Sequence, residues 1–396
     1  MILMQCAVCA TELGLSSGKK CGRCSTRYCG PECQVQHWKE GGHDKLCRKI
    51  KKAGGAEQYN ANNKYAEAVS VAAEACAEDT KGQTCYICTQ ALHWKTKEGL
   101  VRGCACRGTA GFAHVTCLAE QVKILFAEAE ENNLGLEVMN SRFLRWSTCS
   151  LCEQEHHGVV RCALGWACWK TFVGRPEADQ ARHLAMSVLG IGLGAAKRNE
   201  ESLSVEEAHY SILKRIGMSG RGLLVMKDNL AVTYARLGRL DRAASMGRDV
   251  YNGYLKLTGE ESRDTLLAAL NYAVVLKNSV RFEAAKSLLR KTIPVARRII
   301  GEGNELTLKM RWTYAIALYK DASATLDDLR EAVTTLEEIE PIGRRVFGGA
   351  HPFVIDIDHA LEQSRAVAAV HEAATNGDIS AIQAGLDALK VANRKI

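Results

Sequence analysis

Cysteine spacing constrains this chain more than any other feature. Fourteen of its seventeen cysteines, together with His43 and His114, fall at short intervals between residues 6 and 152, and cysteine density collapses after Cys168. Two intervening residues let a tight turn aim two sulfurs at one point, and three residues on a helix put two ligands on one face. The front of the chain is therefore expected to fold around metal. No run approaches the ~18 consecutive apolar residues of a membrane helix, and five residues ahead of the first cysteine are too few for a secretory signal. The expectation is a soluble intracellular protein, cytoplasmic or nuclear, with no membrane partner. In a reducing compartment such pairs hold zinc in preference to forming disulfides.

The first set reads Cys6-x2-Cys9, Cys21-x2-Cys24, Cys29-x3-Cys33 and His43-x3-Cys47. Four pairs make two tetrahedral sites, but spacing alone leaves open which pairs share an ion, and His37 is a rival nitrogen to His43. Forty-odd residues cannot bury a sufficient apolar core, so metal is expected to supply much of the folding free energy, on the order of 10 kcal/mol per site. With Tyr28-Cys29, Cys33-Gln34 and Trp38, the segment resembles the MYND zinc finger. The resemblance implies interleaved coordination, with Cys6, Cys9, Cys29 and Cys33 on one ion and Cys21, Cys24, His43 and Cys47 on the other. It also implies a module that docks short proline-containing peptides. Gly41-Gly42 departs from the pattern by lengthening the last ligand interval.

The second set reads Cys85-x2-Cys88, Cys104-x-Cys106, His114-x2-Cys117 and Cys149-x2-Cys152, a C4HC3 order. The interval from Cys106 to His114, the Cys-x-Ile-Cys start at Ile87 and the turn Cys106-Arg107-Gly108 resemble the RING-CH variant of the RING finger. Cross-braced coordination would place Cys85, Cys88, His114 and Cys117 on one ion and Cys104, Cys106, Cys149 and Cys152 on the other. The resemblance implies recruitment of a ubiquitin-conjugating enzyme through a shallow apolar groove to which Ile87 contributes. Three positions depart from it: Gln121 where the family often has Trp, Glu153 where a basic residue often follows the last ligand, and a long interval from Cys117 to Cys149 carrying a helix over 118–132. Trp146, just before the last pair, keeps a PHD-type finger open as an alternative. His156, His157, Cys162 and Cys168 could be spare ligands, but both sets are complete without them. A short strand and then an apolar helix over 163–172 capping the finger is the preferred reading.

In all four sites the protein fills every position, which marks structural rather than catalytic zinc. The formal charge of +7 shrinks on this account. Fourteen thiolates subtract fourteen charges and four Zn2+ restore eight, leaving about +1. What remains is a local basic cluster around the first set, including Lys19, Lys20, Arg23 and Lys45. It reads as solvated charge compensating the thiolates, with nucleic-acid or chromatin binding the weaker reading.

Residues 56–78 are rich in alanine, free of proline and expected to form a linking helix, with Cys76 a packed residue. Beyond residue 180 the sequence repeats every 42 residues: Ala231, Ala273 and Ala315 recur, as do Gly217, Gly259 and Gly301, and Ala243 and Ala285. Ala332 and Gly348 lag by five, which places an insertion in the turn at 320–327. This pattern resembles the tetratricopeptide repeat in its kinesin light chain form, with a degenerate unit near His183 and a last amphipathic helix over 380–393. The fold expected is multidomain: two small cross-braced zinc fingers of irregular α+β type and an all-α tetratricopeptide-like solenoid. The boundaries expected are 1–52, a helical linker 53–82, 83–178 with its capping helix, and 180–396. The expected function is a zinc-binding adaptor for protein or peptide ligands, with a RING-CH-type ubiquitin ligase as the alternative.

Overall fold

The structure is a computed structural model that describes residues 6–11, 13 and 18–393; the expectation for residues 1–5 lies outside them. The chain divides into two compact units, Met1–Asn229 and Leu230–Ile396. In the first, β1 (Lys19–Lys20) and β2 (Arg27–Tyr28) pair antiparallel, Lys19 opposite Tyr28, and are followed by α1 (Pro31–Lys39), α2 (His43–Lys52) and α3 (Ala56–Ala75). Helices α4 (Val115–Glu131), α5 (Leu136–Leu144), α6 (Gly158–Phe172), α7 (Gln180–Ala195) and α8 (Asn199–Arg215) complete it. The unit boundary falls inside α9 (Arg221–Arg236). The second unit continues with α10 (Leu240–Thr258), α11 (Arg263–Asn278), α12 (Phe282–Ile300), α13 (Glu305–Tyr319), α14 (Leu326–Phe347), α15 (Pro352–Asn376) and α16 (Ile379–Asn393).

The core of the first unit is built on α6. Val160, Leu164, Trp166, Trp169 and Phe172 are all buried, as a helix apolar on every side requires. It packs against α3, α4 and α7. Its approach to α7 is set by glycine. A Cβ at Gly165 would stand 3.1 Å from the Val188 carbonyl oxygen, and one at Gly192 would stand 2.9 Å from that of Arg161. Phe126, Phe143 and Phe172 close the far end, with centroids 5.4–5.6 Å apart. The expected strand ahead of α6 is reduced to a single bridge between Thr148 and Glu155, and residues from Gly158 onward are already helical. Cys76, Cys162 and Cys168 are buried packing residues, and total burial pushes the Cys168 thiol well up.

In the second unit each helix from α10 to α16 packs on the next, and α11 also meets α13 while α13 meets α15. The 42-residue period has a physical basis. Gly259, Gly301 and Gly348 end α10, α12 and α14 at φ of 77°, 86° and 88° with ψ near 150–180°, a region open only to glycine. Three residues later Ser262, Asn304 and His351 each accept a backbone N–H as the cap of the next helix. Ala273, Ala285, Ala315 and Ala332 are fully buried where helices cross. The five-residue insertion is divided: it lengthens the turn between α13 and α14 and adds residues at the start of α14, where Thr325 and Asp328 form a capping box. Helices α7 and α8, expected as a degenerate repeat, lie in the first unit, with α7 seated on α6.

Candidate metal centres

Four C-x2-C pairs share one backbone turn. In each, the first cysteine's N–H donates to the carbonyl five residues on, and the residue four on donates back to that cysteine's carbonyl. Examples are Cys85 to Gln90 at 3.0 Å and Thr89 to Cys85 at 2.8 Å, or Cys149 to Gln154 at 2.9 Å and Glu153 to Cys149 at 3.0 Å. The fifth residue is left-handed every time: Ala10, Ser25, Thr89 and Glu153 have φ of 56°, 60°, 61° and 58°. Peptide N–H groups converge on the first sulfur, as Ile87 and Cys88 do on Cys85. Such a turn holds a thiolate before any ion arrives. The other ligands come from helices: Cys33 from α1, His43 and Cys47 from α2, Cys117 from the first turn of α4, and His114 from its N-cap.

These elements bring together four tetrads: Cys6, Cys9, Cys29 and Cys33; Cys21, Cys24, His43 and Cys47; Cys85, Cys88, His114 and Cys117; and Cys104, Cys106, Cys149 and Cys152. Within each, the donor atoms lie within 4.8 Å of one another. Tetrahedral zinc puts sulfurs about 3.8 Å apart and sulfur and nitrogen about 3.6 Å apart. The Sγ atoms of Cys9 and Cys29 are 3.5 Å apart, those of Cys21 and Cys47 3.8 Å, and those of Cys106 and Cys149 3.7 Å. Cys24 Sγ lies 3.4 Å from His43 Nε2, and Cys88 Sγ 3.3 Å from His114 Nδ1. The two histidines therefore present opposite nitrogens. His114 Nε2 faces the Ala91 carbonyl at 3.4 Å, an arrangement that fixes its tautomer. His37 joins no tetrad; its Nδ1 lies 3.0 Å from the Tyr28 hydroxyl. Gly41 is required there, since a Cβ would collide with the His37 ring.

Charge favours a cation at these sites. The Cys104 hydrogen bond holds Cys149 down at about 4, while the same bond pushes Cys104 well up and burial lifts Cys106 to about 12. In the first finger the Thr11 hydroxyl lowers Cys9 to about 6, while the bond between Cys29 and Cys33 pushes Cys33 up. Four thiols this close cannot all ionise alone, and a divalent ion removes the conflict. The donor sets and spacings fit four zinc ions, each closed by four protein ligands.

Two zinc-finger families match the two cysteine sets. Residues 6–47 match the model described as MYND finger, and residues 85–152 the model described as RING-variant domain. Against curated proteins the chain finds no match. Among solved structures it is similar to BtubC (BKLC) from P. vanneervenii, at 15% identity, covering 71% of this chain and 90% of that one, with a TM-score of 0.40. Two crystal structures of a Podosopora anserina kinesin light chain with nearly identical TPR-like repeats match at 16% identity, covering 59% of this chain and 97% of theirs, with TM-scores of 0.36 and 0.35.

In the RING-variant domain the two outer knuckles are tied together. Tyr86 and Ser150 hydroxyls lie 3.2 Å apart, and Ser150 Oγ donates to Gln121 Oε1 at 3.4 Å. Gln121 therefore sits where both zinc loops meet α4. Ile87 and Leu151, each next to one of those hydroxyl residues, are 36% and 50% exposed. Trp146 is fully buried beside Phe172, as a core residue. Sequence reasoning missed the left-handed fifth residue of each knuckle, because alanine, serine, threonine and glutamate give no signal of positive φ.

Proposed function

We propose that the chain is a zinc-dependent protein-interaction adaptor. Its modules are a MYND-like peptide-docking finger over 1–52, a helical linker over 53–82, a RING-CH-like finger with its capping helix over 83–178, and a helical repeat over 180–396. The sixteen side chains of the four tetrads hold four zinc ions as structural ligands. The observation that carries this reading is closure: each tetrad supplies four protein donors, leaving no coordination position for water or substrate. Exposed apolar side chains on the fingers, Val35 and Trp38 on α1 with Ile87 and Leu151 on the outer knuckles, suit partner docking.

A second reading, a ubiquitin ligase, is favoured by one observation. Ile87 and Leu151 stand exposed on two zinc loops held together at Tyr86 and Ser150, a surface on which a conjugating enzyme could seat. There the protein would act by positioning a thioester, with no step at zinc. The departures at Gln121 and Glu153 weigh on the adaptor side. Glu153 is an acceptor where a donor is wanted, on a backbone already committed to the knuckle turn. A discharge assay with a panel of ubiquitin-loaded conjugating enzymes decides between them. The adaptor reading expects no acceleration by the full chain; acceleration that Ile87→Ala abolishes would establish the ligase.

A further inference from the structure

The turn that builds the zinc knuckles occurs once more, without cysteine. His93 N–H donates to the Glu98 carbonyl at 3.0 Å, Lys97 N–H returns to the His93 carbonyl at 2.9 Å, and Lys97 is left-handed at φ 59°. His93 stands where the first cysteine would be and Thr96 where the second would be. No ion is needed, because His93 Nδ1 takes the Thr96 backbone N–H at 3.1 Å and lies 2.9 Å from its hydroxyl. The His93 ring packs edge-on against His114, centroids 5.3 Å apart. A rigid knuckle therefore holds up its two middle residues, Trp94 and Lys95, and Trp94 is 68% exposed. Nothing about the adjacent finger requires a large apolar ring in water at this point.

Trp94 and Lys95 form the rim of a cleft of about 710 Å³ walled by α3, α4 and α6. Its volume lies in the range of ligand sites. Across from the rim, Lys170 Nζ rests 4.3 Å above the Tyr65 ring. It forms no ion pair among the described residues, and burial lowers its affinity for a proton. Lys123 lines the same cleft and is paired with Glu120 at 2.7 Å. Three lysines thus face Glu120 around the trough, with Glu98 held by Thr116 at its edge, and none of Ile87, Gln121 or Leu151 lines it. Lys170, half out of water, feels Glu98 and Glu120 only through space and pairs with neither, and an incoming anion relieves it.

We propose that this cleft binds an acidic segment of a partner polypeptide, a carboxylate meeting Lys170 and Lys95 and a neighbouring apolar side chain covering Trp94. Charge complementarity selects the occupant, and the exposed indole selects a peptide over a bare anion. The site goes beyond the proposed function, being separate from both zinc-loop surfaces.

A random heptapeptide display library panned on the full zinc-loaded chain tests this, with enriched peptides then titrated by calorimetry. The expected result is enrichment of Asp or Glu next to Leu, Phe or Trp, with affinity falling as salt rises. Lys170→Met, which keeps the stem over Tyr65, Lys95→Glu and Trp94→Ala should each weaken binding at least tenfold while four zinc ions are retained. Lys95→Glu lies on the surface and keeps the test valid if a cleft-wall variant fails to fold. No enrichment, enriched peptides without acidic residues, or unchanged affinity in Lys95→Glu would overturn the proposal. So would displacement of an enriched peptide by an equal concentration of inorganic phosphate, which would assign the cleft to small anions.

Discussion

At the scale of single residues, the zinc sites depend on positions that bind nothing. Gly111 has φ 83°, and a Cβ there would stand 2.6 Å from Cys106 Cβ, 2.9 Å from its sulfur and 3.3 Å from that of Cys104. Gly111→Ala combines about 1–3 kcal/mol of backbone strain with a collision against two ligands. It should cost the chain one zinc ion and lower its thermal midpoint. Gly22 lies between Cys21 and Cys24 with ordinary φ and open space around its Cα, so Gly22→Ala should leave four ions and an unchanged midpoint. Metal analysis beside a melting curve checks both. The ligand residues themselves were legible from spacing, while their grouping came with a resemblance. The supporting glycine was not legible, since a close approach between residues 104, 106 and 111 exists only once the loop is folded.

Elements were legible where their sequence is locally self-consistent. The helices expected over 118–132 and 380–393 are present as α4 and α16, each shifted by one to three residues at its start. The segment before α6 misled because Val159 and Val160 favour strands in isolation. In the folded unit Val160 is buried and the backbone continues as helix, tertiary packing overriding local preference. The α6–α7 contact was illegible for a related reason: nothing in the sequence marks Gly165 and Gly192 as facing each other's helices. Gly192→Val should force those helices apart, costing about 1–3 kcal/mol and lowering the midpoint of the first unit by roughly 2–10 °C. Gly174→Ala, in open space beyond α6, is the matched control and should melt like the parent. Differential scanning calorimetry of the full chain reads the difference.

At the scale of the molecule, two kinds of stabilisation divide the chain. The second unit is held by buried small residues and glycine-ended helices repeating along the sequence, so its period could be read directly. In the first unit the apolar α6 packs among α3, α4 and α7, while the first finger has little core of its own: half of its buried cluster is cysteine, the rest Leu13, Tyr28, Ile50 and Ala56. Metal must therefore contribute what burial does not. No helix among the described residues is long and apolar enough to cross a membrane. The claim on which the rest stands is that four closed tetrads each hold one zinc ion. Native mass spectrometry of the intact chain, purified without added metal or chelator, measures it most directly. The expected mass increment is four zinc ions per folded chain; a folded chain carrying three or fewer would contradict four closed sites.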